Sequence, residues 1–232
     1  MKTIGVLGGM SWESSLEYYR LLNEGVKARL GGLHSAWIVM VSVDFAEVEA
    51  MQAANRWDDA ARFMIEAALR VELGGADFLV IATNTMHRLA DAIQAEISIP
   101  LLHIADATAG PIKAQGLRTV GLLGTRYTME GDFYQGRLEE QHGLRVLTPD
   151  TAGRETVHRI IYNELVLGDI RPASREAYRA IIADLVKAGA EGIILGCTEI
   201  GLLVRPEDSP VPIFDTTALH AAAAVDWALE DV

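Results

Sequence analysis

GADFLVIATNT, residues 75–85, returns 114 residues further along the chain as GAEGIILGCTE, residues 189–199. Both copies open on Gly-Ala, run through an apolar stretch and stop on small polar residues. That is the profile of a strand covered on both faces, as in a parallel sheet, rather than of a half-exposed strand with alternating character. An earlier pair, KTIGVLGG at residues 2–9 and RTVGLLGT at residues 118–125, lies 116 residues apart. A weaker pair closes each series: proline, a few apolar residues, then DAT at residues 106–108 and DTT at residues 215–217. Three landmarks in one order at nearly one offset imply two similar lobes made from one pattern.

Around these landmarks short apolar runs alternate with longer segments of helical period, the signature of βα units. Strands are expected near 3–7, 37–43, 78–82, 101–104, 119–123, 144–147, 192–196 and 211–214, with helices between them. Two helices declare their buried faces. Ala60, Phe63, Met64, Ala67, Ala68 and Val71 share one side of residues 59–73, and Tyr178, Ile181, Ile182 and Leu185 share one side of residues 177–186. The expected fold is α/β, with two pseudo-symmetric lobes, each a mostly parallel sheet flanked by helices. The lobes are placed at residues 1–107 with 212–232 and at residues 108–211. The site is expected in the cleft between them, because parallel sheets bind ligands beyond the carboxyl ends of their strands.

Half of the 232 residues are hydrophobic (50%), enough for a substantial core. Lys and Arg number 20 against 32 Asp and Glu, and the net charge of -12 argues against nucleic acid or an anionic membrane as partner. A small anionic substrate is not excluded, since local N–H groups and a few cations decide such binding. The N-terminal MKTIGVLGGMSW has one lysine and an apolar run broken at Gly8-Gly9, so it reads as strand and turn instead of a signal peptide. No apolar run approaches the roughly 20 residues of a membrane span, and a cytoplasmic location is expected.

Cys197 is the only cysteine, which rules out an internal disulfide and a multi-cysteine zinc site. It is then a small buried hydrophobe or a reactive thiol. The duplication makes Thr83 its counterpart, and the two are expected to face each other across the cleft. Acid/base groups on opposing walls suit removal of a proton from one face of a carbon and return of one to the other face, which inverts a stereocentre without a cofactor. Residues 198–200 are expected to open a short helical turn whose N–H groups lower the thiol pKa. Asn84, Thr85 and Thr198 supply donors for a substrate carboxylate as it takes enediolate character. Plain helix capping is the competing explanation for all three.

GVLGGMSWES at residues 5–14, TNTMH at 83–87, HIADAT at 103–108, LLGTRYTM at 122–129 and GCTEIGLL at 196–203 together resemble the cofactor-independent aspartate/glutamate racemase family, over essentially the full length. The resemblance implies two α/β lobes with the site between them, no cofactor, no metal, a homodimer, and a small acidic amino acid as substrate. Most members carry a cysteine in the first motif as well as the second. Thr83 departs from that pattern and is similar to the L-aspartate/glutamate-specific branch, which has a Thr/Cys pair. By this carry-over Cys197 takes the Cα proton of the L substrate and Thr83 serves the opposite face, while Met10 and Gln52 lie near the substrate. Glu164 stands where some members place a lysine for the distal carboxylate. A carboxylate there repels that group, so the cation is unassigned, with Arg126 a candidate.

Other readings compete. Met10 also suits a packed turn, and Gln52 a solvated helix position. An arylmalonate-type decarboxylase, which keeps one cysteine, and a maleate isomerase, which uses cysteine covalently, are related alternatives. A non-catalytic protein that binds an acidic small molecule is the alternative outside enzymology. His87, His103, His142, His158 and His220 show no metal spacing. GVLGGMS is not G-x-G-x-x-G, which argues against a dinucleotide site.

Overall fold

The computed structural model describes residues 1–230 and 232. The chain divides into two compact units, Met1–Ile104 with His220–Val232, and Ala105–Leu219. In the first, β1 (Ile4–Gly8), α1 (Trp12–Leu30), β2 (Ile38–Ser42), α2 (Phe45–Ala53), α3 (Trp57–Leu73), β3 (Phe78–Ile81), α4 (Ala90–Glu96) and β4 (Leu101–Leu102) follow in sequence. The strands pair in parallel in the order β2-β1-β3-β4. Then come α5 (Ile104–Ala114), β5 (Thr119–Gly124), α6 (Arg126–Glu130), α7 (Asp132–His142), β6 (Arg145–Leu147), α8 (Thr151–Asn163), α9 (Pro172–Lys187), β7 (Gly192–Gly196), α10 (Ile200–Leu203), β8 (Ile213–Asp215) and α11 (Thr216–Leu229). The second sheet is also parallel, in the order β6-β5-β7-β8. The two sheets therefore repeat one strand order, and β3 and β7 hold the same place in it.

Helices on both faces explain why the strands read as unbroken apolar runs. In the first unit Ile4, Val6, Phe78 and Val80 pack against Tyr18, Leu22 and Val26 of α1 and against Ala221, Ala224, Val225 and Ala228 of α11. Leu7, Leu79 and Ile81 face the other way, onto Met64, Ala68 and Val71 of α3 and Ile93 of α4. In the second unit Leu123, Ile193 and Leu195 meet Val157, Ile160 and Ile161 of α8 and Tyr178, Ile182 and Leu185 of α9. Each such aliphatic side chain contributes roughly 1.5–3 kcal/mol by leaving water.

The glycine inside each repeated first strand has a packing cause. A Cβ on Gly5 would lie 2.5 Å from Val71 Cγ1 and 2.7 Å from the Phe78 carbonyl oxygen. At Gly121 it would lie 2.8 Å from Ile193 Cδ1 and 3.0 Å from Leu185 Cδ1.

All eight expected strands are present, with edges moved by a residue or two. The eighth starts two residues late, at Ile213, and the fourth stops two residues early, at Leu102, because buried Ile104 already belongs to α5. An apolar run that crosses from strand to helix does not mark the crossing. Among the described residues no helix is long and apolar enough to cross a membrane.

Candidate active site

In the second unit β7 is buried from end to end, and the chain opens to partial exposure at Cys197 and Thr198 before closing again at Glu199. The helix that follows, α10, is a single turn with Glu199 in the N-cap position, where its side chain makes no cap bond. The carboxylate instead accepts a hydrogen bond from the thiol, Cys197 Sγ to Glu199 Oε2, at 2.9 Å. Burial, and after it the charge and hydrogen-bond acceptance of Glu199, push the thiol well above its usual range, while the N–H groups of Glu199 and Thr198 pull the other way and lose. This corrects the expectation of a lowered thiol pKa. One helical turn builds little dipole, and the same turn brings a carboxylate with it.

Two more polar groups bear on this turn through their charges or burial. The Tyr178 hydroxyl is wholly buried and has no hydrogen-bond partner among the described residues. Burial, and the charges of Cys197, Glu164 and Glu199, raise its pKa far enough that it stays a neutral phenol. Glu164 is 3% exposed. It accepts a hydrogen bond from Ser174 Oγ, and its Oε1 lies 3.7 Å from Arg171 Nη1 and 3.8 Å from Arg159 Nη1. Arg126 opens α6 as an exposed residue, its guanidinium 5.7 Å from the centre of the Tyr127 ring.

In the first unit the turn after β1 is set by Gly9, whose φ of 96° belongs to the left-handed region and whose hypothetical Cβ would strike the Val43 carbonyl oxygen at 2.1 Å. Ser15 Oγ accepts from Gly9 N–H at 2.7 Å and donates to the Ser11 carbonyl at 3.1 Å. Ser11 caps α1, its Oγ accepting from Ser14 N–H at 3.4 Å. The GGMSWES motif is thereby accounted for as a tight strand-to-helix turn. Met10, within it, is buried in one core cluster with Met51 and Met86. Gln52, on α2, is buried too, and its Nε2 donates to Met86 Sδ at 2.9 Å, so it is not a solvated helix residue.

Strand β3 is buried throughout, and exposure opens at Thr83 between buried Ala82 and Asn84. Residues Thr85–Leu89 form a 3-10 turn, and Asn84, in its N-cap position, makes no side-chain cap bond. Thr83 is held by its backbone: its N–H donates to the Ile81 carbonyl, and its own carbonyl accepts from His87 Nδ1, both at 2.8 Å. His87 Nε2 accepts from Ile104 N–H at 3.2 Å, which assigns the ring proton to Nδ1. The ring packs edge-on to His103 and His220, with centroids 4.6 and 5.7 Å away. His220 in turn bonds Tyr18 Oη at 2.8 Å and the Leu102 carbonyl at 2.9 Å. These histidines tie elements together in a buried network.

Within the first unit, then, Thr83, Asn84 and Thr85 share one strand end, and Gln52 and Met10 join through Met86, which lies in the turn that follows. Within the second, Cys197 and Thr198 share theirs with Glu199, and Tyr178 is electrostatically coupled to Cys197, Glu199 and Glu164. The sequence pattern ranked neither Glu199 nor Tyr178 as functional. Glu199 was visible only as the last letter of GCTE, and Tyr178 only as a member of an apolar helix face. His87 carried no sign beyond its place four residues after Thr83.

A family model described as Asp/Glu/Hydantoin racemase matches residues 7–224. A Yersinia pestis protein assigned as an Asp/Glu racemase, known from its crystal structure, is 58% identical, with 99% of this chain and 100% of that chain covered and a TM-score of 0.93. An aspartate racemase homologue from Pyrococcus horikoshii OT3 is 35% identical at the same coverages, with a TM-score of 0.86. RacX, a broad specificity amino-acid racemase of Bacillus subtilis strain 168, is 27% identical over 175 residues, 72% of each chain. Two repeated α/β units, strand ends carrying a hydroxyl and a thiol, and a match over residues 7–224 lead to one assignment: the chain belongs to the Asp/Glu/Hydantoin racemase family and is an isomerase of the racemase kind.

Proposed function

We propose that this enzyme interconverts the enantiomers of aspartate, glutamate or both without a cofactor, Cys197 removing the Cα proton of the L substrate and the Thr83 side returning one to the opposite face. The observation that carries this reading is the equivalence of two strand ends. Strands β3 and β7 hold the same place in sheets of the same order, and each passes at the same step from buried strand to a part-exposed acid/base side chain. Asn84, Thr85 and Thr198 are the proposed donors to the substrate α-carboxylate, where negative charge grows as the proton leaves. Met10 and Gln52 are proposed to line the substrate. Glu164, a buried carboxylate, is unsuited to the distal carboxylate, for which Arg126 is the candidate. A homodimer and a cytoplasmic location go with this reading. In support of the dimer, α1 exposes Trp12, Leu16 and Tyr19 at 64%, 59% and 53%, spaced along one helix side.

A threonine hydroxyl is a far weaker acid than a thiol, so it donates a proton to a carbanion more readily than it serves as a base. The L enantiomer is therefore the one from which proton abstraction is fast. Because the two enantiomers are equally stable, kcat/KM is the same in both directions, and the asymmetry must take the form of low kcat with tight binding for the D enantiomer. The test is deuterium entry at Cα in heavy water from saturating L- and D-aspartate and L- and D-glutamate. Faster exchange from L is expected. Equal rates from both end the asymmetry, and no exchange from any of the four ends the racemase assignment for these substrates. Carbon dioxide from a substituted malonate, or fumarate from maleate, identifies the related chemistries.

A further inference from the structure

We propose that His87 is a positioning residue for Thr83: its imidazole, braced by the first residue of α5, holds the Thr83 carbonyl and so sets the aim of the hydroxyl that serves the second face of the substrate. The inference rests on the proposed role of Thr83 in racemisation. Thr83 has little else to place it. Its N–H closes a three-residue turn onto the Ile81 carbonyl at 2.8 Å, and among the described residues no group bonds its hydroxyl. Its carbonyl is not taken by the backbone of the turn that follows. The N–H of His87 goes to the Asn84 carbonyl at 3.1 Å, and the ring, through Nδ1, takes the Thr83 carbonyl at 2.8 Å. A carbonyl at the end of a buried strand needs a partner, and here the partner is a side chain that is itself fixed. His87 is 2% exposed, its Nε2 accepts from the Ile104 N–H at 3.2 Å, and its ring meets those of His103 and His220 edge-on. His220 is anchored in turn by Tyr18 Oη and the Leu102 carbonyl. All of these residues belong to the first unit.

The effect on chemistry passes through the peptide plane. The peptide between Thr83 and Asn84 is planar, so fixing its carbonyl also fixes the Asn84 N–H, which points the opposite way. With the N–H and the carbonyl of Thr83 both held, its Cα–Cβ bond has one direction, and the hydroxyl swings only about that bond. Proton delivery to carbon needs such placement, since a shift of about 1 Å costs on the order of 100-fold in rate. Loss of the ring would leave the Thr83 carbonyl and the Ile104 N–H without the partner each has now.

Two variants separate this role from a structural one. His87→Leu keeps bulk but has no donor, whereas His87→Asn keeps an amide donor near the place of Nδ1. In heavy water with saturating L-aspartate or L-glutamate, early deuterated product is of two kinds: L, from return of a proton at the Cys197 face, and D, from delivery at the Thr83 side. Chiral chromatography with mass spectrometry counts both. The ratio of D to L product is expected to fall about tenfold or more in His87→Leu and to recover in large part in His87→Asn. A merely structural role lowers both products together, so an unchanged ratio in His87→Leu overturns the inference while leaving the racemase reading intact. Should His87→Leu fail to fold, the ring of the unaltered protein decides. Nitrogen-15 NMR, with the His87→Asn spectrum to assign the signals, is expected to show His87 protonated on Nδ1 and His220 on Nε2. A His87 ring protonated on Nε2 alone overturns the inference whatever the turnover. An unaltered protein that exchanges neither substrate removes the racemase reading and this inference with it, a result distinct from exchange whose D-to-L ratio ignores His87.

Discussion

At the scale of single residues, the proposed function is placed where a buried strand first meets solvent. Thr83 and Cys197 are the first part-exposed residues after β3 and β7, each reached through a fully buried run. Cys197→Ala is expected to lower Cα exchange from the L substrate by about 100-fold or more, the size of a general acid/base contribution. Its urea midpoint should stay close to that of the unaltered protein, because the side chain is small and only partly buried. Thr83→Cys is expected to raise kcat for the D enantiomer by about tenfold or more, since a thiol is the better base. Chiral chromatography of the D-to-L reaction measures it. Both residues were legible in sequence, because the repeat aligned one with the other. The ionisation of the thiol was not legible: it is governed by burial and by Glu199, and the sequence suggested the opposite direction.

Among the elements, the repeated glycine of β1 and β5 offers a graded test of packing. At Gly5 an added methyl meets the Phe78 carbonyl, which belongs to the sheet backbone and cannot rotate away, whereas at Gly121 it meets only the ends of Ile193 and Leu185. Gly5→Ala is therefore expected to destabilise the protein by about 1–3 kcal/mol, the range for overpacking a well-filled core. Gly121→Ala should cost less, because its neighbours have rotamers to use. Urea unfolding of the two variants side by side checks the order. At this scale the strands were well marked by apolar runs, but the hand-over from β4 to α5 was not. The single turn of α10, expected to open at residues 198–200, runs from Ile200 to Leu203.

Across the whole molecule, acid stability draws on carboxylates of the second unit, Asp106 and Asp208 among them. Asp106, on α5, accepts from Arg137 Nε and Nη2 at 2.7 and 2.6 Å and bonds His142 Nε2 at 2.7 Å. Burial alone would raise its pKa, but the hydrogen bonds from Arg137 and His142 outweigh it and hold the carboxyl below its ordinary range. Asp208 behaves likewise: burial opposes, and Arg175 at 2.8 Å with the N–H of Arg205 prevails. For both, the folded pKa lies below the unfolded one. Their stabilisation is therefore complete well above the ordinary aspartate value of about 3.9, begins to fall about one pH unit above it and is lost as pH drops through the depressed values. The urea midpoint is expected to hold from neutrality to about pH 5 and to fall below it. Asp208→Asn should lower the plateau and flatten the acid limb. The proposed dimer predicts a mass in solution near twice the 25.2 kDa chain, and Leu16→Lys, which places a charge among Trp12, Leu16 and Tyr19, should shift light scattering toward the monomer. An unaltered protein that scatters as a monomer would remove the dimer from the proposal.

By itself the sequence determined that the chain is built twice from one parallel α/β pattern and that Thr83 and Cys197 end equivalent strands. Apolar runs, helical period and a constant offset are carried along the chain and need no third dimension to be seen. Tertiary structure alone decided the condition of the groups at those strand ends: which carboxylate receives the thiol and which imidazole holds the Thr83 carbonyl. Ionisation and hydrogen bonding depend on burial and on distances through space, and no local pattern of residues encodes either.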